Sequence, residues 1–213
     1  MILIKRVLLY SLGLLFMAFG VSFSIKSNLG ISPVNSIPYV LSLVTLIDQG
    51  LITTLVFSVY ILMQIVLLKK DFKKINFLQI ISASAFGYFV SFSNSIFGRI
   101  PYPEIYALKL IFLVVSISFI AIGLLFYLSA DIVPQPPEGL ILAISNKFSL
   151  EFSKVKVLFD SSAVLIACLI SLIYFKDIRG IREGTIISAI LIGKLLGILS
   201  KYFKKSIVKF LYS

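Results

Sequence analysis

What most limits the folds open to this chain is a succession of apolar runs, each about as long as a bilayer is thick. Runs at about 7–26, 51–68, 77–97, 106–128, 155–175 and 184–203 each approach the roughly 20 residues that carry a helix across about 30 Å of hydrocarbon. No water reaches that depth, so a spanning segment must satisfy its own backbone, and an α-helix does so. The charged fraction agrees: it is 14%, where soluble domains carry about a quarter. The expected fold is an all-α polytopic membrane protein with six spans. Two further runs, about 34–47 and 138–148, are too short to cross and start at proline-rich breaks, so they read as short packed or re-entrant helices.

In a soluble protein a net charge of +11 would suggest a nucleic-acid partner. Here most Lys and Arg flank apolar runs, where they anchor helices against anionic lipid, so the bilayer is the expected partner and nucleic acid is not. Six spans with a cytoplasmic N-terminus put thirteen basic residues inside and six outside, leaving Lys194 within the last span. Both termini are then cytoplasmic. The loop holding Lys176, Arg179 and Arg182 falls outside, against the rule. The chain has no His and a single Cys, Cys168, so neither a metal site, a cofactor nor an enzyme is expected.

Sliding the chain by 103 residues reveals an internal repeat. "GVSFSIKSNLGISPVNSIPYVLS" from Gly20 lies on "GLLFYLSADIVPQPPEGLILAIS" from Gly123, with Asn28 on Asp131, Pro33 on Pro136 and Asn35 on Glu138. After a three-residue shift, Asp71 meets Asp177, Ile80–Ala83 meets Ile186–Ala189, and Gly87 meets Gly193. The expected halves are 1–103 and 104–213 of one membrane domain, each with three spans and one short helix. An odd number of spans inverts the second copy, which places the basic 69–74 and 176–182 loops on opposite faces. Small residues at four-residue spacing, Ala83, Gly87 and Ser91 in the third span and Ala189, Gly193 and Gly197 in the sixth, predict that these two spans cross closely.

The breaks are the candidate site. Pro134, Pro136 and Pro137 stop a helix in the second half, as Pro33 does in the first, with Gly30 giving backbone freedom just before it. Half-helix N-termini at membrane depth offer N–H groups to a polar or anionic group. Glu138 falls in the first turn of such a helix, as a cap or as a coupling acid. Asp160 lies within the fifth span, as a ligand or proton carrier, or paired with Lys156 four residues back. Asn28 and Asn35 belong to the broken segments, as does Asp131, a candidate that also reads as a cap or interfacial residue, and Gln64, Asn94 and Gln135 are polar enough to line a site or to bond between helices. Tyr60 and Tyr88 sit inside spans, as packing or cavity lining, whereas Tyr102, Tyr106, Tyr127, Tyr174 and Tyr202 fall at span ends.

Together these residues resemble the YczE/YitT-type family of bacterial integral membrane proteins. Its first-half pattern, LG-x-x-P-W-D-x-L-x-x-x-LS, is met by Leu29, Gly30, Pro33, Leu41 and Ser42, with Val34 and Asn35 in place of Trp-Asp and Ile37 in place of Leu. Its second-half pattern is met by Pro136, Glu138, Gly139, Leu140, Lys154, Val155, Lys156, Asp160, Gly180, Gly184 and Thr185. The resemblance implies a bacterial inner (plasma) membrane protein, with export or transport as the supposed role. The replacement of the first-half acid by Asn35 speaks against a symmetric two-acid mechanism.

The sequence therefore reads as a small transporter of a polar or anionic solute, with proton or cation coupling and a site between segments 28–38 and 131–140. Two alternatives stand beside it: a substrate-binding membrane subunit of an energy-coupling-factor importer, and a non-transporting scaffold or regulator. The oligomeric state is left open by the sequence.

Overall fold

The computed structural model describes residues 2–212 and is helical, with no strand among them. In chain order the helices are α1 (Ile2–Ser27), α2 (Pro33–Thr45), α3 (Gln49–Leu68), α4 (Leu78–Phe97), α5 (Tyr106–Ala130), α6 (Pro136–Phe148), α7 (Phe152–Phe175) and α8 (Glu183–Tyr212). Two short 3-10 turns, Lys69–Asp71 and Lys74–Phe77, link α3 to α4. Six of the helices are long and apolar enough to cross a membrane. The other two, α2 and α6, have 13 residues each and begin at Pro33 and Pro136.

The helices stop where the backbone turns left-handed. Among the described residues, Asn28, Leu46, Lys69, Asp131, Ser149 and Lys176 are the non-glycine residues with positive φ. Asn28 and Leu46 are carried onto Asp131 and Ser149 by the 103-residue shift, and Lys69 precedes Lys176 by 107 residues. So α1 and α5, and α2 and α6, end at matched positive-φ residues; α7 ends left-handed at Lys176, whereas Lys69 after α3 combines positive φ with ψ −112°. Asn and Asp are tolerated at such positions because a short polar side chain can bond locally.

Two compact units are present, and neither follows the sequence halves. One contains the chain up to Ser32, Phe89–Ile132 and the chain from Gly180; the other contains Pro33–Tyr88 and Val133–Arg179. The first unit is built on α1 and α5. A Cβ on Gly13 would lie 2.7 Å from the Gly123 carbonyl oxygen, and one on Gly20 would lie 2.9 Å from that of Ser116. Later residues of α1 meet earlier residues of α5, so the helices are antiparallel, with backbones closer than any larger residue allows. Ser116 Oγ bonds the Gly20 carbonyl at 2.7 Å. Helix α8 packs on this pair through Ile187, Ile192 and Leu195, against Leu29, Leu113 and Ile117.

Three cations close helix ends in this unit. Arg6 donates to the carbonyls of Ala130 and Asp131 at the end of α5. Lys26, buried and seated over the Tyr102 ring, donates to Gly98 and Ile100 after α4. Arg182 donates to the Asn28 carbonyl after α1. Orphan carbonyls at helix C-termini favour such donors. Lys5 bonds the Phe210 carbonyl at 3.2 Å, so the N-terminal end of α1 and the C-terminal end of α8 lie at one end of the unit.

In the second unit α3 and α7 flank the short helices, with α2 packing on both and α6 packing on both. The ridge of α4 finds its partner here. A Cβ on Gly87 would collide with Thr54 Oγ1 and the Gly50 carbonyl of α3, and Thr54 Oγ1 reaches the Ala83 carbonyl at 3.4 Å. This corrects the expected crossing of the third and sixth spans. Ala189, Gly193 and Gly197 are exposed, and a Cβ on either glycine would meet nothing within 4 Å. The reason is that α8 uses its bulky face for packing, so its small residues have no neighbouring backbone to admit.

Two glycine substitutions separate these situations. Gly123→Ala is expected to lower stability by about 1–3 kcal/mol, because the added methyl has no room against α1. Gly193→Ala is expected to be neutral. Thermal unfolding in detergent checks both, and equal midpoints for the two variants would contradict the α1–α5 crossing.

Candidate functional site

The second unit gathers four ionisable side chains from three helices. Proline starts the first of these, α6: Pro136 and Pro137 occupy its first positions and Gln135 caps it. Neither proline has an N–H to leave unpaired. The Gly139 N–H goes to the Gln135 carbonyl at 2.8 Å, and the Glu138 N–H bonds its own carboxylate. The first turn thus has no uncommitted donor, which corrects the expectation of an anion held at this helix end.

Glu138 is half-buried, yet its Oε2 is sealed from solvent without a hydrogen-bond partner from the chain. The charges acting on it are Lys156 and Asp160, both from α7. Lys156 Nζ pairs with Asp160 Oδ2 at 3.1 Å, an i,i+4 contact that the sequence spacing predicts. The other oxygen, Asp160 Oδ1, is buried without a partner. Tyr60, on α3, lies edge-on to Phe159 with ring centroids 5.3 Å apart, and its hydroxyl is also buried without a partner. Asp160 is the charge it feels. Three sealed oxygens and one half-exposed ammonium are therefore gathered here from α3, α6 and α7.

Burial pushes the Glu138 carboxyl above the ordinary carboxylate range; Lys156 and the backbone N–H pull the other way, and Asp160 adds to the rise.

Beside this cluster an amide pair supports α6. Gln64 Nε2 bonds Gln79 Oε1 at 2.9 Å and the Pro136 carbonyl at 3.1 Å, while Gln79 Nε2 returns to Gln64 Oε1 at 3.1 Å. Gly139 sits on the pair, and a Cβ there would stand 2.8 Å from both amide oxygens. Gln135 Nε2 bonds Ser82 Oγ at 2.8 Å. Above the amide pair opens a cavity of about 510 Å³, rimmed by Asp71, Lys73, Asn76 and Lys147 and also bordered by Pro134. Its size falls within the range of small-molecule pockets.

The structure brings together Glu138, Asp160 and Tyr60 of the sequence-predicted residues, and puts Gln64 and Gln135 in supporting hydrogen bonds. Asn35 is buried on α2. Asn28 and Asp131 are exposed positive-φ residues at the ends of α1 and α5, so they terminate helices, and neither lines the cavity above the amide pair. Tyr88 is 69% exposed, which removes it as cavity lining. Gly30 takes φ 112°, open to glycine, and packs on Thr185. Ile31 N–H bonds the Gly180 carbonyl and Gly184 N–H bonds the Leu29 carbonyl, so Leu29, Gly30, Gly180 and Gly184 form one structural turn in the first unit. Gln79 and Ser82 were missed. Gln79 stands four residues before Ala83 on the same helical row as Gly87, and that row signals a buried amide. Asn94 accepts from Ser22 Oγ at 2.6 Å in the first unit, as an interhelical bond.

Residues 4–201 match DUF6198, a family of unknown function. No curated protein and no solved structure matches the chain.

The position of Glu138 makes stability depend on pH with a definite sign. A carboxyl raised on folding binds more protons in the native than in the unfolded state, so stability falls as pH rises from the ordinary carboxylate pKa, about 4.3, to the raised value. Glu138→Gln is expected to flatten that fall. Unfolding midpoints from pH 4 to 8 check it, and parallel curves for variant and wild type would refute the assignment.

Proposed function

The chain belongs to DUF6198, and from that premise we propose that it is a small bacterial inner-membrane transporter of a polar or anionic solute, with Glu138, Lys156, Asp160 and Tyr60 as its coupling site. The observation that carries this reading is that two carboxyls and one phenol, on helices that are otherwise largely apolar, each keep a sealed oxygen without a partner, beside the half-exposed ammonium of Lys156. Ionisable groups in such a place are expensive to keep and mark solute or ion paths.

Depth supports the same reading. Tyr60 lies eight residues before the end of α3 and Asp160 eight residues after the start of α7, each about 12 Å along its helix. The count of basic residues puts both of those ends in the cytoplasm, and the amide-floored cavity, rimmed by Lys73 and Lys147, opens beside the same turn. A solute entering there would meet α6 first.

The repeat is part of the proposal. Matched left-handed helix ends and the antiparallel contact of α1 with α5, its counterpart under the shift, favour two inverted halves of the kind that alternate access in transporters. The likeness to the YczE/YitT-type pattern favours the same setting. Of its residues, Glu138, Lys156 and Asp160 fall in one cluster, and Gly30, Gly180 and Gly184 in another.

Reconstituted protein tests the reading. With a pH-sensitive dye inside proteoliposomes, addition of amino acids, organic acids, nucleosides and phosphate esters in turn is expected to give a lumenal pH change for one class. Glu138→Gln is expected to reduce that signal to the level of empty liposomes while keeping a cooperative unfolding transition. Normal transport by Glu138→Gln would remove Glu138 from the mechanism.

A further inference from the structure

The geometry points to a proton as the ion exchanged at this cluster, taken up by Glu138 while Lys156 holds the position a metal cation would need. This deepens the transport reading and depends on it for its use, although the proton site stands on separate observations.

The argument is one of charge and space. The groups facing Glu138 from α7 are Lys156 and Asp160, and the titratable group contributed by α3 is Tyr60. With both carboxylates ionised and Lys156 protonated, the cluster carries one net negative charge. A buried site with an uncompensated charge is costly, and it takes up whatever ion restores neutrality. A sodium or potassium ion would need several oxygens around it. The ammonium of Lys156 already stands 3.1 Å from Asp160 Oδ2, where it would repel such an ion. A proton needs one oxygen only. Asp160 Oδ1 and Glu138 Oε2 are both sealed and unpartnered, but Asp160 has the ammonium on its other oxygen, so the carboxylate left without a compensating contact is Glu138.

The step is simple to balance. The ionised Glu138 gains a proton from water and becomes a neutral carboxyl, the Lys156–Asp160 pair is unchanged, and the net charge goes from minus one to zero. Release reverses it. Protonated Oε2 becomes a donor, and the unpartnered oxygens of Asp160 and Tyr60 are acceptors of the right kind.

Infrared difference spectroscopy of the purified protein tests this without any solute. At neutral pH the wild type is expected to show the carbonyl stretch of a protonated carboxyl, moved by 13C-labelled glutamate and not by 13C-labelled aspartate. Glu138→Gln is expected to lose it. Asp160→Asn is expected to lose it as well, because the freed Lys156 then neutralises Glu138. Absence of the band in the wild type, or its response to labelled aspartate, would overturn the proposal. So would a rise in melting temperature when choline is replaced by sodium or potassium, if Glu138→Gln abolishes that rise. Should Glu138→Gln not fold, Glu138→Asp must hand the band to labelled aspartate. A wild type that shows the band and moves no solute keeps the proton site and loses the transport reading.

Discussion

A backbone group in hydrocarbon finds no water, and most irregular features of this chain follow from that constraint. Each break in a helix releases carbonyls and N–H groups that something must occupy. At the ends of α1, α4 and α5 the occupant is a cation: Arg182, Lys26 and Arg6 respectively. At the start of α6 the chain takes the opposite course and deletes the donors, with prolines at 136 and 137. Three basic residues thus close helix ends, so removing one of them would leave carbonyls unpaired and lower stability.

Against that background of satisfied groups, the oxygens of Tyr60, Glu138 and Asp160 stand out. The same sequence that disposes of backbone donors at Pro136 and Pro137 leaves a sealed, unpartnered oxygen on each of these three ionisable side chains. Packing does not require them, since an amide or an aliphatic residue would fill each place without the desolvation. Gln64, Gln79 and Gln135 show what a purely structural solution looks like in this unit: neutral amides in short reciprocal bonds. The contrast between amides in reciprocal bonds and carboxyls that keep a sealed oxygen without a partner separates scaffold from site.

Much of this was legible in the sequence because it depends on local rules. Apolar length gave the six candidate spans, proline gave the starts of α2 and α6, and i,i+4 spacing gave the Lys156–Asp160 pair. What failed depended on which face of a helix finds a neighbour. The small residues of α4 and α8 match in spacing, yet only those of α4 meet a close backbone, that of Gly50. Asn28 and Asp131 looked like ligands because they are polar and sit at breaks. They are polar because a left-handed helix end favours such residues. Gln79 escaped notice since one amide near a span end says nothing of its partner 15 residues earlier.

The two halves proposed from the repeat differ in charge, and this difference bears on the proposed mechanism. Asn35 stands where Glu138 stands in the other half, and both begin a 13-residue helix after proline. A duplicated frame with acids in both halves would present two equivalent titrating sites. Here one half keeps a neutral amide, buried on α2, and the other keeps the acid together with its lysine and aspartate. If the halves alternate their conformations, the frame can be symmetric in motion while the exchangeable charge stays with α6 and α7. Under the proposed transport reading, the charge exchanged at Glu138 would then be borne by one half alone.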